Sequence, residues 1–346
     1  MKGIIAALLL VLAIQLKAEE SSKTYEKTFP KNGIEELVLS NNYGKIEITQ
    51  NEGDEIQVSV LMKVIAKSGA KADEMLDLIQ IMETQLDNYL NIETKIGKDM
   101  SFRQFITGME VDIDYKVTVP KGVKLRLIAS NGNTYLGNFE GELNADIRNG
   151  DFKAATLKGG EFYIKQEKGD FKVENVGTMN GEFKSCLLQI NSGDNVRLTT
   201  SSCDGQFESI DKLNIRSNSG TMKIGDIEEL IGSSSYTKYE IQDLANVMDM
   251  DMKWGEMNIR NIQLLFSEIR LKGSFTKVGL TFEKDAGYHL EIKHNKSLKM
   301  DLPGQMELEE RPTAERNTTI GTKFIGNTKY TGKVILDLSN GSLFIQ

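Results

Sequence analysis

The chain has 346 residues, with 42 Lys and Arg against 50 Asp and Glu and a formal net charge of −8 at pH 7. Apolar residues make up 39% and charged residues 27% of the chain, which excludes both a disordered chain and a bundle of membrane helices. The acidic balance argues against a protein that tracks nucleic-acid phosphates. Two Cys and two His are too few for a zinc site built from paired Cys motifs.

The first eighteen residues have the three parts of a secretory signal peptide. Lys2 gives a positive start, an almost wholly apolar run covers residues 4–16, and Ala18 offers a small residue for cleavage. The apolar run is too short to span a hydrocarbon core of about 30 Å. We therefore predict a signal peptide at residues 1–18 and expect a mature chain without a transmembrane segment. Its expected location is the periplasm, the cell surface or the extracellular space.

A five-residue pattern recurs along the middle of the chain. A turn residue is followed by two apolar residues at alternate positions, and the turn residues are 15 to 19 positions apart. Alternation with period two predicts strands that bury one face, and Gly permits a positive φ at the turn. The turn residues of the successive copies are Gly132, Gly150, Gly169, Cys186, Gly205, Gly220, Thr237 and Gly255.

Two all-β architectures accommodate this pattern. An antiparallel sandwich has turn signals about every 8–12 residues. A parallel solenoid places two short strands in each longer period and stacks successive rungs about 4.8 Å apart. The longer spacing favours an all-β parallel β-solenoid, a β-helix or β-roll with rungs of about 18 residues. Eight such rungs make a rod of roughly 40 Å.

The pattern also divides the chain. We predict that residues 19–120 form a small N-terminal α/β cap, residues 121–296 the solenoid repeats, and residues 297–346 a loop excursion with a closing strand around Gly341. One short helix is expected in the cap, with an apolar face formed by Ala72, Met75, Leu76 and Ile79.

Three stretches together resemble the putative-adhesin family of bacterial envelope proteins, a domain of unknown function common in the Bacteroidetes. They are the run from Leu37 to Ile48 around Tyr43-Gly44, the strand Tyr115–Pro120, and the closing Asn340-Gly341. The resemblance implies a β-helical or β-roll fold and an exported location. It provides no catalytic residues to transfer, and the adhesin label of that family rests on analogy of fold and compartment.

Aromatic residues near the turns are the candidates for a ligand site. Trp254, Tyr236 and Tyr239, with Phe207, are candidates for a platform on which sugars stack. Trp254 and Tyr236 precede or lie in the predicted turns, where side chains are exposed. The low aromatic content of 7% argues against a carbohydrate-binding groove.

Cys186 and Cys203 are candidates for a disulfide, because they are 17 residues apart in a chain expected to be exported. The repeat pattern, however, aligns Cys186 with Gly205 and leaves Cys203 two positions out of register. Two residues along a strand add about 6.6 Å, close to the limit of about 7 Å between bonded Cα atoms. Two separate thiols are the alternative.

Acidic residues and histidines are the candidates for catalysis and metal binding. Asp249 and Asp251 are conceivable as a carboxylate pair for glycan hydrolysis or for calcium. They alternate with Met residues, however, as any half-buried strand does, and the same holds for Asp112 and Asp114. His289 and His294 are an odd number of positions apart, which places them on opposite faces of a strand. The sequence therefore predicts no catalytic residue, no cofactor and no metal site.

These observations predict an exported, non-enzymatic, adhesin-like interaction module at the cell surface or envelope, with a protein or glycan as its ligand and no nucleic-acid partner. A periplasmic structural or envelope-stress signalling partner is the alternative. A glycan-active β-helix enzyme is disfavoured by the scarcity of His and by an acidic balance that repels polyanionic substrates.

Overall fold

The computed structural model describes residues 18–97, 108–304, 306–315 and 317–346. The predicted signal peptide lies outside these residues except for Ala18. Strands contain 75% of the residues and helices 3%, which confirms the all-β fold class. Within the described residues, no helix is both long enough and apolar enough to cross a membrane.

The described residues form one helix and a connected network of strands. The strands β11 and β12 are each 50 residues long, because hydrogen-bonded pairing continues through their bends. In chain order the elements are β1 Glu19–Pro30, β2 Glu36–Asn41, β3 Ile46–Asn51, β4 Glu55–Ala66, α1 Gly69–Leu78, β5 Ile79–Leu86, β6 Tyr89–Ile96, β7 Glu110–Pro120, β8 Lys124–Ser130, β9 Thr134–Glu140, β10 Leu143–Arg148, β11 Phe152–Ser201, β12 Asp204–Lys253, β13 Glu256–Ile262, β14 Glu268–Ser274, β15 Lys277–Phe282, β16 Tyr288–Asn295, β17 Lys299–Asp301, β18 Glu309–Pro312, β19 Thr318–Ile325, β20 Gly332–Ser339 and β21 Ser342–Ile345.

Parallel pairing dominates the middle of the chain. β10 lies between β8 and the middle of β11, with Leu143 opposite both Leu125 and Phe162. β9 pairs with the start of β11, and the end of β11 pairs with the start of β12. Apolar residues at alternate positions point inward and are buried, so successive strands extend one continuous apolar core.

The register corrects one copy of the sequence pattern. Leu188 lies opposite Gly205 and Leu187 lies opposite Asp204. Gly205 therefore comes two residues after the turn position of its copy, and Cys203 occupies that position. A shift of two residues leaves every side chain on the same face, so the apolar alternation could not reveal the error.

The N-terminal end is built around an inserted pair of strands. β2 lies between β6 and β8, and β3 lies between β7 and β9, all in parallel. Antiparallel strands follow on the outer side, where β4 joins β1 to β7 and β5 pairs with β6. The predicted helix is confirmed as α1, which buries Ala72, Met75 and Leu76 and contacts β1 and β4.

The C-terminal end repeats this arrangement. β20 lies between β14 and β16, and β21 lies between β15 and β17. The expectation of loop from residue 297 to 330 is wrong in part, because this segment contains β17, β18 and β19. β19 pairs antiparallel with both β16 and β18. The repeat pattern lapses in this segment, which contains Pro303, Pro312 and many charged residues. These residues lie in the short, exposed strand β18 and its neighbouring turns.

Glycine is required at two turns by close backbone approach. A Cβ added at Gly132 would lie 1.6 Å from the carbonyl oxygen of Gly44, and one added at Gly150 would lie 1.9 Å from that of Gly132. Both obstacles are backbone atoms, which cannot move away without separating paired strands. The close strand spacing at these two turns therefore requires a residue without a Cβ.

We predict that Gly150→Ala lowers the free energy of unfolding by about 2–4 kcal/mol, because the new methyl group overlaps a backbone carbonyl. The matched control is Gly33→Ala. Gly33 has a φ of +86° and nothing within 4 Å of an added Cβ, so only the backbone conformation is penalised, by about 1 kcal/mol. Denaturant unfolding of both variants checks this, and equal losses would contradict the role of close approach.

Candidate functional site

One residue at each turn adopts the left-handed backbone conformation, and these residues form a series that we call the left-handed column. Several of their backbone N–H groups donate to the residue that directly precedes the next member. The N–H of Trp254 donates to the carbonyl of Ser274 at 3.0 Å, and the N–H of Phe275 donates to that of Ser339 at 2.9 Å. The column consists of Asn131, Asn149, Lys168, Ser185, Ser202, Ser219, Tyr236, Trp254, Phe275 and Asn340, with φ between 50° and 66°.

Three consecutive members of the column are aromatic and form a stack on the surface. The ring centroids of Tyr236 and Trp254 are 5.1 Å apart with planes 10° from parallel, and those of Trp254 and Phe275 are 6.2 Å apart with planes at 14°. Flat contact would bring the planes to about 3.5–4 Å, so the rings are offset and each face is partly open. The exposed fractions are 59% for Tyr236, 49% for Trp254 and 52% for Phe275.

The backbone under these rings is unusual for aromatic residues. Positive φ is common for Asn and Gly, whereas a bulky residue there is an outlier. Such strained positions cost of order 1–3 kcal/mol each and cluster at functional sites. The aromatic stack is therefore a candidate binding surface because it exposes three bulky rings at backbone positions that the other column members fill with Asn, Ser or Lys.

A polar hollow of about 340 Å³ adjoins the stack. Ser235 and Lys253, which line it, directly precede Tyr236 and Trp254 in the chain. The remaining lining is made of hydroxyl, amide and charged groups, including Thr199, Arg216, Asn218 and Asp251. The hollow thus offers both hydrogen-bond donors and acceptors beside exposed aromatic rings.

A second, larger depression of about 620 Å³ lies on the strands that follow the turns. Its amide and charged groups already pair with each other across neighbouring strands. The Gln189 amide donates to the side-chain oxygen of Gln206 at 3.4 Å, and the Arg260 guanidinium donates to that of Gln242 at 3.4 Å. We regard it as a ladder of paired polar side chains, and the aromatic stack as the better candidate site.

The structure divides the aromatic residues named from the sequence. Tyr236 and Trp254 are exposed and stacked, whereas Tyr239 is fully buried and Phe207 is 3% exposed, so both are excluded from a surface platform. The Tyr239 hydroxyl instead hydrogen-bonds Ser217 at 2.8 Å, and burial raises its pKa. Sequence reasoning missed Phe275, although the segment Phe275-Thr276 followed by alternating apolar residues repeats the pattern of Tyr236-Thr237.

The two cysteines are buried and carry free thiols in the structure. They occupy equivalent positions in adjacent strands, and the backbone N–H of Cys186 donates to Cys203 Sγ at 3.4 Å. Parallel neighbours hold their Cβ atoms about 4.8 Å apart with side chains aligned, whereas a disulfide needs converging Cβ atoms at about 3.8 Å. The thiol–thiol hydrogen bond raises the pKa of Cys186, as does burial, and lowers that of Cys203.

The acidic pair lies on an ordinary half-buried strand. Asp249 is opposite Arg270 and Asp251 is opposite Lys272, and both carboxylates are exposed, while the Met residues between them are buried. Each carboxylate thus faces a cation on the neighbouring strand. This arrangement confirms the interpretation of a strand with one polar face.

The other titratable candidates lie in two strands, with Asp112 and Asp114 in β7 and the two histidines in β16. Asp114 accepts the backbone N–H of Lys45 at 3.0 Å, and burial, with Asp114 and Glu110 nearby, raises the pKa of Asp112. His289 packs edge-on against Phe324 with centroids 4.9 Å apart. His294 lies 3.8 Å from Glu310. Over the described ranges, no group of three or more His, Cys, Asp or Glu residues is placed to hold a metal ion.

No protein-family model matches the chain, and no curated protein is similar to it in sequence. Among solved structures, it is similar to a putative cell adhesion protein from Clostridium sporogenes, with 13% identity, 94% of this chain and 99% of that chain covered, and a TM-score of 0.19. It is also similar to putative adhesins from Parabacteroides merdae (11% identity, 76% and 97% covered, TM-score 0.35) and Parabacteroides distasonis (12% identity, 74% and 97% covered, TM-score 0.36).

We predict that the two neighbouring tyrosines respond oppositely to replacement. Tyr239→Ala should lower the free energy of unfolding by about 3–5 kcal/mol, because it empties a buried site. Tyr236→Asn should change it by less than about 1 kcal/mol, because Asn relieves the left-handed strain while losing one ring contact. Denaturant unfolding measures both, and a large loss for Tyr236→Asn would show that the stack is chiefly structural.

We predict that Cys186 and Cys203 remain reduced in protein recovered from an oxidising compartment. Iodoacetamide should add two carbamidomethyl groups after unfolding in guanidinium and react slowly with the folded protein, because both thiols are buried. Mass spectrometry of the intact protein provides the count. A chain that takes up no label when unfolded without reductant would contradict the free thiols.

Proposed function

We propose that this chain is an exported, non-enzymatic β-solenoid that acts as an adhesin-like interaction module at the cell surface. The solenoid is supported by parallel registers in which each strand faces a strand 17 to 19 residues away between β8 and β12. It is further supported by the left-handed column, where one turn residue recurs at similar spacing from Asn131 to Phe275. On this proposal residues 121–296 form the repeats, between an N-terminal cap at 19–120 and a closing segment at 297–346.

The observation that carries the binding role is the exposed aromatic stack Tyr236–Trp254–Phe275. Exposed aromatic patches on soluble proteins mark interaction sites. These rings additionally lie on a strained backbone within a continuous sheet, which holds them in fixed positions. A rigid scaffold with a preformed aromatic surface suits recognition, since little conformational freedom is lost on binding.

Export is supported by the residues at the start of the chain. The proposed cleavage after Ala18 falls directly before β1, so the mature chain would begin with a paired strand. β1 pairs with β4 and carries many charged residues, which protects an exposed edge strand from pairing with other chains. The non-enzymatic role is supported by Asp249 and Asp251, each of which faces a cation on a neighbouring strand.

The first experiment locates the protein in the cells that produce it. The mature protein should begin at Glu19 by N-terminal sequencing and should be removed when intact cells are treated with external protease. Replacing Leu8 and Leu9 by Arg is the matched control, because charges in the apolar run should leave an uncleaved chain in the cytoplasm.

Two outcomes overturn parts of the proposal. An abundant cytoplasmic form that starts at Met1 would refute export. A processed protein that resists protease until the outer layer is broken would refute the surface location and establish the periplasmic alternative, a structural or envelope-stress signalling partner.

A further inference from the structure

The aromatic stack begins abruptly along the left-handed column. Ser185, Ser202 and Ser219 occupy the three positions before Tyr236. Ser217 Oγ donates to Thr237 Oγ1 at 3.1 Å, which places the segment around Ser219 beside the Tyr236 turn. A serine side chain is too small to cover an aromatic ring, and Tyr236 has the largest exposed fraction of the three rings. The stack therefore ends in an open ring face above a floor of small hydroxyl side chains.

The polar hollow lies next to the Tyr236 end of the aromatic stack. It includes Ser235 beside Tyr236, together with Arg216, Asn218 and Asp251. Its charged side chains include both cations and an anion, so it does not select strongly for either sign of ligand charge. Its hydroxyl, amide and charged groups suit a neutral ligand that has many hydroxyl groups.

The narrow shape of the aromatic surface favours a slender ligand over a broad protein interface. The stack is one side chain wide, since its chain neighbours are the polar or small residues Ser235, Thr237, Lys253 and Gly255. A stable protein interface needs about 800 Å² from each partner around an apolar centre. A narrow line of rings beside hydroxyl and amide groups instead fits a linear polymer with alternating apolar faces and hydroxyl edges.

We propose that Tyr236, Trp254 and Phe275, with the adjoining polar hollow, bind a neutral oligosaccharide. This proposal rests on the proposed function and specifies its ligand. The C–H face of one sugar ring packs on the open face of Tyr236, and the rest of the chain follows the exposed edges of Trp254 and Phe275. The sugar hydroxyls hydrogen-bond to the side chains of the hollow, such as Arg216 and Asn218. The net charge of −8 disfavours polyanionic glycans.

The single tryptophan of the chain provides the measurement, because Trp254 lies in the middle of the stack. The mature protein is titrated with cellohexaose, chitohexaose and maltohexaose while tryptophan emission is followed. At least one of the three should give a saturable change. Tyr236→Ser, which extends the serine floor, and Phe275→Asn, which copies Asn340, should each weaken that binding at least tenfold.

The matched control is Tyr163→Ser, which removes a 48% exposed aromatic ring that does not belong to the column. It should leave the titration unchanged. Arg216→Ala should weaken binding without altering the emission of the free protein, since it alters the hollow and not the stack. Circular dichroism and thermal unfolding of each variant separate loss of binding from loss of fold.

No change of emission with any of the three oligosaccharides, or equal binding by Tyr236→Ser and Tyr163→Ser, would overturn the inference. A protein that still reaches the cell surface under those results would retain its proposed function with a different ligand. A protein that is not exported would refute the proposed function whatever the titration shows.

Discussion

The fold depends on close backbone packing at the turns. At each of these turns a residue with left-handed backbone conformation is followed by a residue whose Cα lies close to a carbonyl oxygen of the neighbouring strand. A Cβ at Gly150 would lie 1.9 Å from such an oxygen, and one at Gly341 would lie 2.0 Å from another. Six of the ten residues at this second position are glycines, namely Gly132, Gly150, Gly169, Gly220, Gly255 and Gly341. The other four, Cys186, Cys203, Thr237 and Thr276, carry a Cβ, so the backbone approach is not equally close at every turn. The glycines of the sequence pattern thus record a steric limit on strand spacing at their own turns.

A stack of parallel strands has two open edges with unpaired backbone N–H and C=O groups. The N-terminal and C-terminal segments cover these edges in the same way. The first and last pairs of strands in the parallel stack, β2–β3 and β20–β21, are inserted between their neighbours and do not lie at the outside. The segments next to them in sequence form the outer layers, with antiparallel strands such as β1 and β19. Because these near-terminal strands are paired on both sides, they cannot fray independently, and the exposed edges are left to charged strands.

The sequence was sufficient to predict elements whose signal is local. The strand class, the helix face around Met75 and the turn glycines follow from periodicity and backbone sterics, and the structure has them. The register at Cys203 was not predictable, since a shift of two residues keeps the same face inward. The position of β20 between β14 and β16 was not predictable either, because its partners are distant in sequence and any open strand edge offers the same hydrogen bonds.

The candidate site was predictable only in part. The repeat pattern places Tyr239 at the first inward position after the turn residue Thr237, whereas Tyr236 directly precedes that turn residue and is exposed. Phe275 follows Trp254 after 21 residues, whereas the members from Asn131 to Trp254 follow one another after 17 to 19, so a fixed period misses it. The left-handed position itself is the useful signal, since the residue before each small turn residue points outward.

The column positions suit binding residues because their side chains point outward from the core. The column residue is fixed by the backbone and does not take part in the core, so its side chain can change without repacking the interior. Asn fits this conformation at little cost, whereas three aromatic residues cost about 3–6 kcal/mol together. The two ring contacts return only about 1–3 kcal/mol. The ligand proposed above gives the aromatic side chains a use at positions that Lys168 and three serines also occupy.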